Sequence, residues 1–456
     1  MRKFIGVLCS ILAIAIALVL ILFGGEDGLE ILDDHTHVSA EPVIENAVDA
    51  TCSSAGSYDQ VTYCSDPDCK SEITRISKSV DPLPHRYANG VCSVCGKNEK
   101  YSSGLAYTSL GDGSCFVSGV GSCTDRHISI PPTSPLGETV TGIDDSAFFS
   151  LTSIESVALP AGVKYIGTNA FAGCSNLSSI NLGASITTIG NFAFENCKSI
   201  TAVRLPSVES IGVSAFKNCE KLYILVLGES LNAIGDYAFQ DCRLLDNIMI
   251  PDGVISVGKG AFKSCWRITE ITLGESLVSI GDNAFSSCSS ITEIIIPDGV
   301  ESVGKGAFSY CDRLANVTLG RALESIGDGI FDYCRSLENI AVSAENAYYK
   351  ALDGSLYTKD GKKLIKYAIA KPNETFKIPD EVEIIGANAF FMCRSLTSIE
   401  IPAGVIAIRD KAFSSCDKLV QICYGGSRDS WDSITKGEDW DSYTTDYSIV
   451  YNYIGG

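Results

Sequence analysis

The sequence predicts a repeat solenoid, with a parallel β-sheet on one face and irregular or short helical turns on the other. Three observations predict this fold. An Ala-Phe step recurs every 23 residues, with one interval of 22 and one of 59. An apolar phrase of the form L-x-x-I-x-L stands between successive steps. A cysteine closes most of the phrases, as in SIGDNAFSSC at residues 279–288. Self-similarity at a fixed period of this length is the signature of repeat architectures.

Eleven repeat units are visible, and their Ala-Phe steps begin at Ala147, Ala170, Ala193, Ala215, Ala238, Ala261, Ala284, Ala307, Ile330 (in place of alanine), Ala389 and Ala412. One unit has too little apolar surface to fold alone, so each must stack against its neighbours. Turn residues such as Pro251-Asp252-Gly253 reverse the chain after each strand. A period in the twenties with an L-x-x-I-x-L strand is typical of leucine-rich-repeat architecture.

Ile280-Gly281, Ala284-Phe285, Cys288, Ile291, Ile294 and Ile296-Pro297 resemble the BspA-like leucine-rich repeats of bacterial surface proteins. The resemblance covers about residues 141–424. It implies a hairpin-bearing insertion at about 343–378, with Asp360-Gly361 as its turn. It also implies an N-terminal cap over 99–140 and a C-terminal cap over 425–456.

The N-terminal 25 residues read as a signal anchor or a signal peptide. Arg2 and Lys3 precede twenty apolar residues from Phe4 to Phe23, which is enough to span a bilayer. Both interpretations place the remainder at the cell surface or outside the cell, either anchored in the membrane through residues 4–23 or secreted. Residues 26–50 are acidic and suit a solvated linker.

Residues 51–98 form a candidate Cys/His module. Its candidate ligands for one structural zinc are Cys64, Cys69, Cys92 and Cys95, and His85 could replace one thiolate. Two cysteine pairs about twenty residues apart can surround a tetrahedral zinc ion. The spacing Cys-x4-Cys in the first pair leaves this ligand set open, and disulfide pairing is the alternative, because the module lies outside the membrane.

The repeated cysteines are predicted to be packing groups. Ten of the nineteen cysteines close a repeat phrase, and stacking places them in a column about 4.8 Å apart. Side chains in such a column run parallel, so their sulfurs do not face each other and a small apolar filler is the simpler interpretation. Cys115 and Cys123, which flank FVSGVGS in the N-terminal cap, are candidates for a local disulfide across a hairpin.

Composition argues against several functions. The formal charge of −20 excludes a phosphate-binding basic stripe, and with it a nucleic-acid partner. The array from 141 to 424 contains none of the four histidines, so a Ser/His or Cys/His dyad on the solenoid is not expected. The glycine-rich turns lack the Lys-Ser/Thr of a phosphate loop. The sequence therefore predicts a protein that is not an enzyme.

The outward positions of the strands are the candidate binding surface, because strand side chains alternate between the two faces. In the central repeats these positions combine apolar and acidic residues, namely Ile224, Val226, Met249, Glu270, Glu293 and Ile295. An exposed apolar patch commonly marks a partner site. The alternative is that β-branched residues simply suit strands.

The leading hypothesis is a surface protein that adheres to a protein or glycan partner, which is what the resemblance implies. A structural spacer of the cell envelope is the second hypothesis. A zinc-dependent hydrolase that uses residues 51–98 is the third, and no residue marks its general base.

Overall fold

The computed structural model describes residues 39–48, 56–64, 71–80, 87–88, 91–92, 101–444 and 446–454. The chain divides into two compact units. The smaller unit has a first segment that ends at Ile44 and a second segment, Gln60–Ile76. The larger unit consists of Glu45–Asp59 and Ser77–Gly456. Within the described ranges no helix has the length and apolar character needed to cross a bilayer. The predicted anchor at residues 4–23 lies outside them.

Among the described residues, five strands precede the N-terminal cap: β1 (Ser39–Val48), β2 (Gly56–Cys64), β3 (Glu72–Val80), β4 (Tyr87–Ala88) and β5 (Val91–Cys92). The first three form one sheet in the order β1-β2-β3, and β4 pairs antiparallel with β5. In the smaller unit Arg75 forms an ion pair with Glu72. Residues 39–48 of the predicted linker form β1 and pair with β2, and the side chains of Val43 and Ile44 are exposed.

The N-terminal cap contains β6 (Ala106–Ser109), β7 (Ser114–Gly119), β8 (His127–Ser129) and β9 (Thr139–Ile143). Strands β6 and β7 form an antiparallel hairpin. Strand β7 then pairs in parallel with β9, which starts the regular stack. Through β7, the cap therefore joins the antiparallel hairpin to the first strand of the parallel stack.

Each coil of the array contributes two short parallel strands. The strands up to the insertion are β10 (Ser156–Ala158), β11 (Tyr165–Ile166), β12 (Ser179–Ile180), β13 (Thr188–Ile189), β14 (Ala202–Leu205), β15 (Ser210–Ile211), β16 (Ile224–Leu227), β17 (Ala233–Ile234), β18 (Ile248–Met249), β19 (Ser256–Val257), β20 (Ile271–Thr272), β21 (Ser279–Ile280), β22 (Glu293–Ile295), β23 (Ser302–Val303), β24 (Asn316–Leu319), β25 (Ser325–Ile326) and β26 (Asn339–Val342).

We call the even-numbered strands β8 to β26 the front ladder and the odd-numbered strands β7 to β25 the side ladder. The side ladder, with β6 at its edge, forms one continuous sheet of eleven strands. The front ladder is the predicted L-x-x-I-x-L strand, and it divides into shorter sheets: β8-β10-β12, β14-β16, β18-β20 and β22-β24-β26. The parallel solenoid is confirmed, but a single sheet was an incomplete expectation, because the segment ending in Ile-Gly also pairs from coil to coil.

The insertion and the C-terminal part contain β27 (Tyr349–Leu352), β28 (Ser355–Thr358), β29 (Lys363–Lys366), β30 (Thr375–Lys377), β31 (Ile384–Ile385), β32 (Ser398–Ile401), β33 (Ala407–Ile408), β34 (Gln421–Tyr424), α1 (Arg428–Ser433), β35 (Thr435–Lys436) and β36 (Ser448–Val450). Strands β27, β28 and β29 form an antiparallel meander. The predicted turn at Asp360-Gly361 joins β28 to β29. Strand β29 then pairs in parallel with β31, so the insertion rejoins the stack.

The Ala-Phe segments form turns, and their phenylalanine rings stack in a buried column. From Phe148 to Phe308 neighbouring ring centroids lie 5.0–5.5 Å apart, with planes within 1–10° of parallel. Such aromatic contacts add about 0.5–1.5 kcal/mol each beyond the burial of the rings. In the coil of the insertion Tyr367 occupies this column and stacks on Phe390 at 5.1 Å.

The cysteine column lies beside the phenylalanines. Its members are buried free thiols, as predicted. With the exception of Cys393, each thiol also donates a hydrogen bond to the phenylalanine carbonyl of the preceding coil, for example Cys197 to Phe171 at 3.0 Å and Cys265 to Phe239 at 3.2 Å. Burial raises the pKa of Cys265 well above its usual value. The cysteine is therefore a donor that satisfies a buried carbonyl as well as a filler, which the sequence pattern did not indicate.

Candidate binding surface

The outer face of the front ladder is the candidate binding surface, and alternation along each strand separates it from the core. On β22 the side chain of Ile294 is 1% exposed, whereas that of its neighbour Ile295 is 63% exposed. The registers Glu293↔Asn316 and Ile295↔Thr318 align the outward residues of successive coils. The outward side chains therefore form two columns that run across the strands.

The upstream part of this face is covered by Tyr58, a residue of the same larger unit. Ile224 is only 1% exposed, because it packs against the ring of Tyr58, with Val226 at the edge of the same cluster. The expectation that Ile224 is exposed is wrong for this reason, although its side chain does point away from the main core. Burial raises the pKa of the Tyr58 hydroxyl, and the nearby Arg204 opposes that shift.

Two further contacts within the larger unit hold Lys78 and Ser79 on the same region. Lys78 Nζ forms an ion pair with Asp246 Oδ2 at 2.8 Å. The hydroxyl of Tyr223 donates to the backbone carbonyl of Ser79 at 3.4 Å. We call Tyr58, Lys78 and Ser79 the strap. Sequence reasoning missed the strap, because no local pattern indicates which distant strand a tyrosine or a lysine will contact.

The downstream part of the face is open in the described chain, and we call it the open face. It is formed by Met249, Glu270, Glu293 and Ile295. Met249 is 38% exposed on β18, and the two glutamates are exposed on neighbouring coils. The structure thus places four of the six predicted residues on an accessible surface and two beneath or beside Tyr58.

The predicted disulfide between Cys115 and Cys123 is wrong, since both residues are buried free thiols. The hairpin partner of β7 is β6, and Ser109 lies opposite Cys115. Cys123 follows the end of β7 and so does not cross the hairpin. The Cys115 thiol instead donates weakly to the carbonyl of Glu138 at 3.7 Å.

The zinc site stays a prediction. Cys69, His85 and Cys95 lie outside the described residues, as do the side chains of Cys64 and Cys92. Among the residues that are described, no group of three or more His, Cys, Asp or Glu side chains could hold a metal ion.

A Ser/His pair does occur where the sequence argument did not expect one. His127 Nδ1 and Ser156 Oγ share a hydrogen bond of 2.9 Å, because β8 of the cap pairs in register with β10 of the first coil. Glu155 lies 3.6 Å from His127 Nε2 and also pairs with Arg126. His127 is largely exposed to water, whereas nucleophilic catalysis relies on a water-excluded site with preorganised donors. The cluster therefore ties the cap to the array.

Comparison with known proteins identifies the repeats. The profile of the BspA type leucine rich repeat region matches in six copies, over residues 141–265, 232–351 and 367–435, which is more than half of the chain. The chain belongs to the BspA-type leucine-rich-repeat family. Proteins of this type are found on the cell surface, and no catalytic family is indicated for the chain. No curated protein matches its sequence.

Solved structures of bacterial leucine-rich repeat proteins are similar to this chain. A protein from Bacteroides ovatus is 24% identical, with a TM-score of 0.52, over 76% of this chain and 98% of that one. A leucine rich cell surface protein from Faecalibacterium prausnitzii is 23% identical, with a TM-score of 0.47, over 74% of this chain and 97% of that one. A protein from Eubacterium ventriosum is 23% identical, with a TM-score of 0.42, over 51% of this chain, and the match spans 56% of that protein.

Proposed function

We propose that this protein is a cell-surface adhesion protein that binds a protein or glycan partner through its open face. The observation that carries the proposal is the exposure of Ile295 and Met249 on a regular strand surface. Large apolar side chains in such positions commonly mark interaction sites. Solenoids of this kind use extended strand surfaces for binding.

The chemistry of the open face favours a protein partner. Its two apolar side chains, Met249 and Ile295, lie on β18 and β22 with β20 between them, and the carboxylates of Glu270 and Glu293 are exposed on the same part of the front ladder. Such a surface complements a partner that presents an apolar anchor surrounded by basic groups, because opposite charges steer association and set the register. The net charge of −20 adds a long-range attraction for basic partners.

The scaffold holds the open face in place before binding. The backbone of each coil is paired to its neighbours, and the inward residues Ile248 and Ile294 are buried in the core. A preorganised surface loses little conformational freedom when it binds, which favours affinity.

The test is a binding screen of the full chain against purified extracellular matrix proteins and an array of glycans. For any ligand found, we expect the double variant Met249→Asp, Ile295→Asp to bind at least about 30-fold more weakly, since loss of a central anchor costs about 2 kcal/mol or more. Ile406→Asp is the matched control, because Ile406 has a similar exposure but lies beside β33, which belongs to neither the front ladder nor the open face. Unchanged binding by the double variant would contradict the proposed site.

A structural spacer remains the second candidate function. The continuous side ladder makes the array stiff, which suits a spacer as well as a binding scaffold. A spacer has no saturable ligand, so a screen in which every probe fails to saturate favours it.

A further inference from the structure

The insertion interrupts the repeat, and three polar side chains occupy the interruption. The buried core divides there into two clusters, the first ending at Leu356 and the second beginning at Tyr357. The 59-residue interval omits one Ala-Phe turn, so the turn at Phe331 has no standard neighbour in the next coil. Cys393, the first cysteine after the gap, correspondingly contacts Ser395 instead of a phenylalanine carbonyl.

Lys366, Asp332 and Asn388 meet at this gap. Lys366 is the last residue of β29 and is buried, with only 4% of its surface exposed. Its Nζ donates to the backbone carbonyl of Asn388 at 2.9 Å and lies 3.6 Å from Asp332 Oδ1. The side-chain amide of Asn388 donates to Asp332 Oδ2 at 3.0 Å. One carboxyl group therefore contacts both an amine and an amide.

The surroundings favour proton transfer through Asp332. Burial raises the pKa of Asp332, and the attraction of Lys366 opposes that shift only in part. Its Oδ1 is buried without a hydrogen bond in the described chain. Tyr367, the residue after Lys366, stacks on Phe390 within the apolar core. A carboxyl whose pKa is raised toward the operating pH is better suited to accept and then donate a proton.

We propose that Lys366 and Asn388 join in an intramolecular amide bond, with Asp332 transferring the proton. The lone pair of Lys366 Nζ attacks Cγ of Asn388, and the carbonyl electrons move onto the amide oxygen. Asp332 takes the proton from Nζ and delivers it to Nδ2. Collapse of the tetrahedral intermediate breaks the Cγ–Nδ2 bond and releases ammonia. The products are one Nζ–Cγ amide and one ammonia, and no oxidant or cofactor is required.

The geometry selects Asn388 as the acceptor. Its leaving nitrogen already donates to the carboxyl that would protonate it. The attacking amine already contacts the same residue through its backbone carbonyl. Asp332 and Lys366 also line a cavity of about 140 Å³, which gives the amine room to turn and ammonia a path of departure. The bond would pin β29 to the coil of β31 at the point where the core is divided.

The test is peptide mapping of the purified full chain by protease digestion and tandem mass spectrometry. We expect one cross-linked species that joins the peptide containing Lys366 to the peptide containing Asn388, lighter than their sum by one ammonia. Lys366→Arg and Asp332→Asn should each yield the two peptides unlinked. Lys362→Arg is the matched control and should keep the link, because Lys362 is exposed and pairs with Glu383.

The wild-type map decides the proposal even if a variant fails to fold. Recovery of unlinked peptides with intact Lys366 and Asn388 would overturn it. A link from Lys366 to Asp332 that has lost water instead of ammonia would overturn the assignment of Asn388. Formation of the link in folded Asp332→Asn would overturn the role of Asp332.

Discussion

Inward and outward residues of the same strand follow different rules in this protein. Away from the insertion, inward positions repeat one chemistry from coil to coil: an aliphatic residue on the strand, a phenylalanine in the turn and a cysteine that donates to the phenylalanine carbonyl of the preceding coil. Outward positions of the front ladder change from coil to coil, from Ile224 through Glu270 to Ile295. The comparison teaches that the stack depends on the inward set, which leaves the outward set free to specify a partner.

The largest expected effect comes from the inward column. Phe148→Ala should lower the free energy of unfolding by about 3–5 kcal/mol, because it removes a buried ring and leaves a cavity. Phe149→Ala is the matched control, since the adjacent Phe149 is exposed. Its effect should stay within about 0.5 kcal/mol. Urea titration followed by circular dichroism measures both free energies of unfolding. Equal losses of stability in the two variants would contradict the distinction between buried inward residues and exposed residues.

The cysteine column predicts sensitivity to alkali. Burial raises the pKa of Cys288 from 9.0 to about 12. Between these values the unfolded chain loses the thiol proton while the folded chain keeps it, so the stabilising contribution is full below pH 9.0 and is lost as pH rises toward 12.

Cys288→Ala should therefore reduce the alkaline loss of stability by up to about 1.4 kcal/mol per pH unit. Unfolding free energies of wild type and variant at several pH values above 9.0 measure this slope. Below pH 8 the two curves should run parallel, because the thiol is protonated in both states. If the stability curves of wild type and variant also ran parallel above pH 9.0, burial would not raise the pKa of the Cys288 thiol.

The strap should contribute the least. Lys78→Ala should lower the free energy of unfolding by less than about 1 kcal/mol, because its ion pair with Asp246 is partly exposed. Lys198→Ala removes a more exposed pair with Glu220 and should have a smaller effect. The same denaturation assay in low and high salt measures the loss of stability in both variants. A loss in Lys78→Ala that does not change with salt would argue against an electrostatic contact.

The sequence predicted the solenoid well because the inward residues recur in phase. The period placed Phe171, Cys197 and Ile294 in the core, and all three are buried. The second ladder was missed, because a two-residue strand such as Ser279–Ile280 carries no alternation of its own. The cap disulfide was predicted wrongly because sequence spacing alone could not show that β6 is the hairpin partner of β7.

The candidate surface could be predicted only in part. Alternation correctly placed Met249 and Ile295 on the outer face. It could not show that Tyr58, far away in the sequence, covers Ile224. It also could not assemble Asp332, Lys366 and Asn388, since these residues come together only where an irregular insertion meets the regular stack.

The most direct test of the division between inward and outward residues compares neighbours on β22. For a ligand identified in the screen, unfolding free energy and affinity per folded molecule would be measured for Ile294→Ala and Ile295→Asp. We predict that Ile294→Ala loses about 2–5 kcal/mol of stability and keeps its affinity. Ile295→Asp should stay within about 0.5 kcal/mol of wild type in stability and should bind much more weakly. Wild-type affinity in Ile295→Asp would contradict the account.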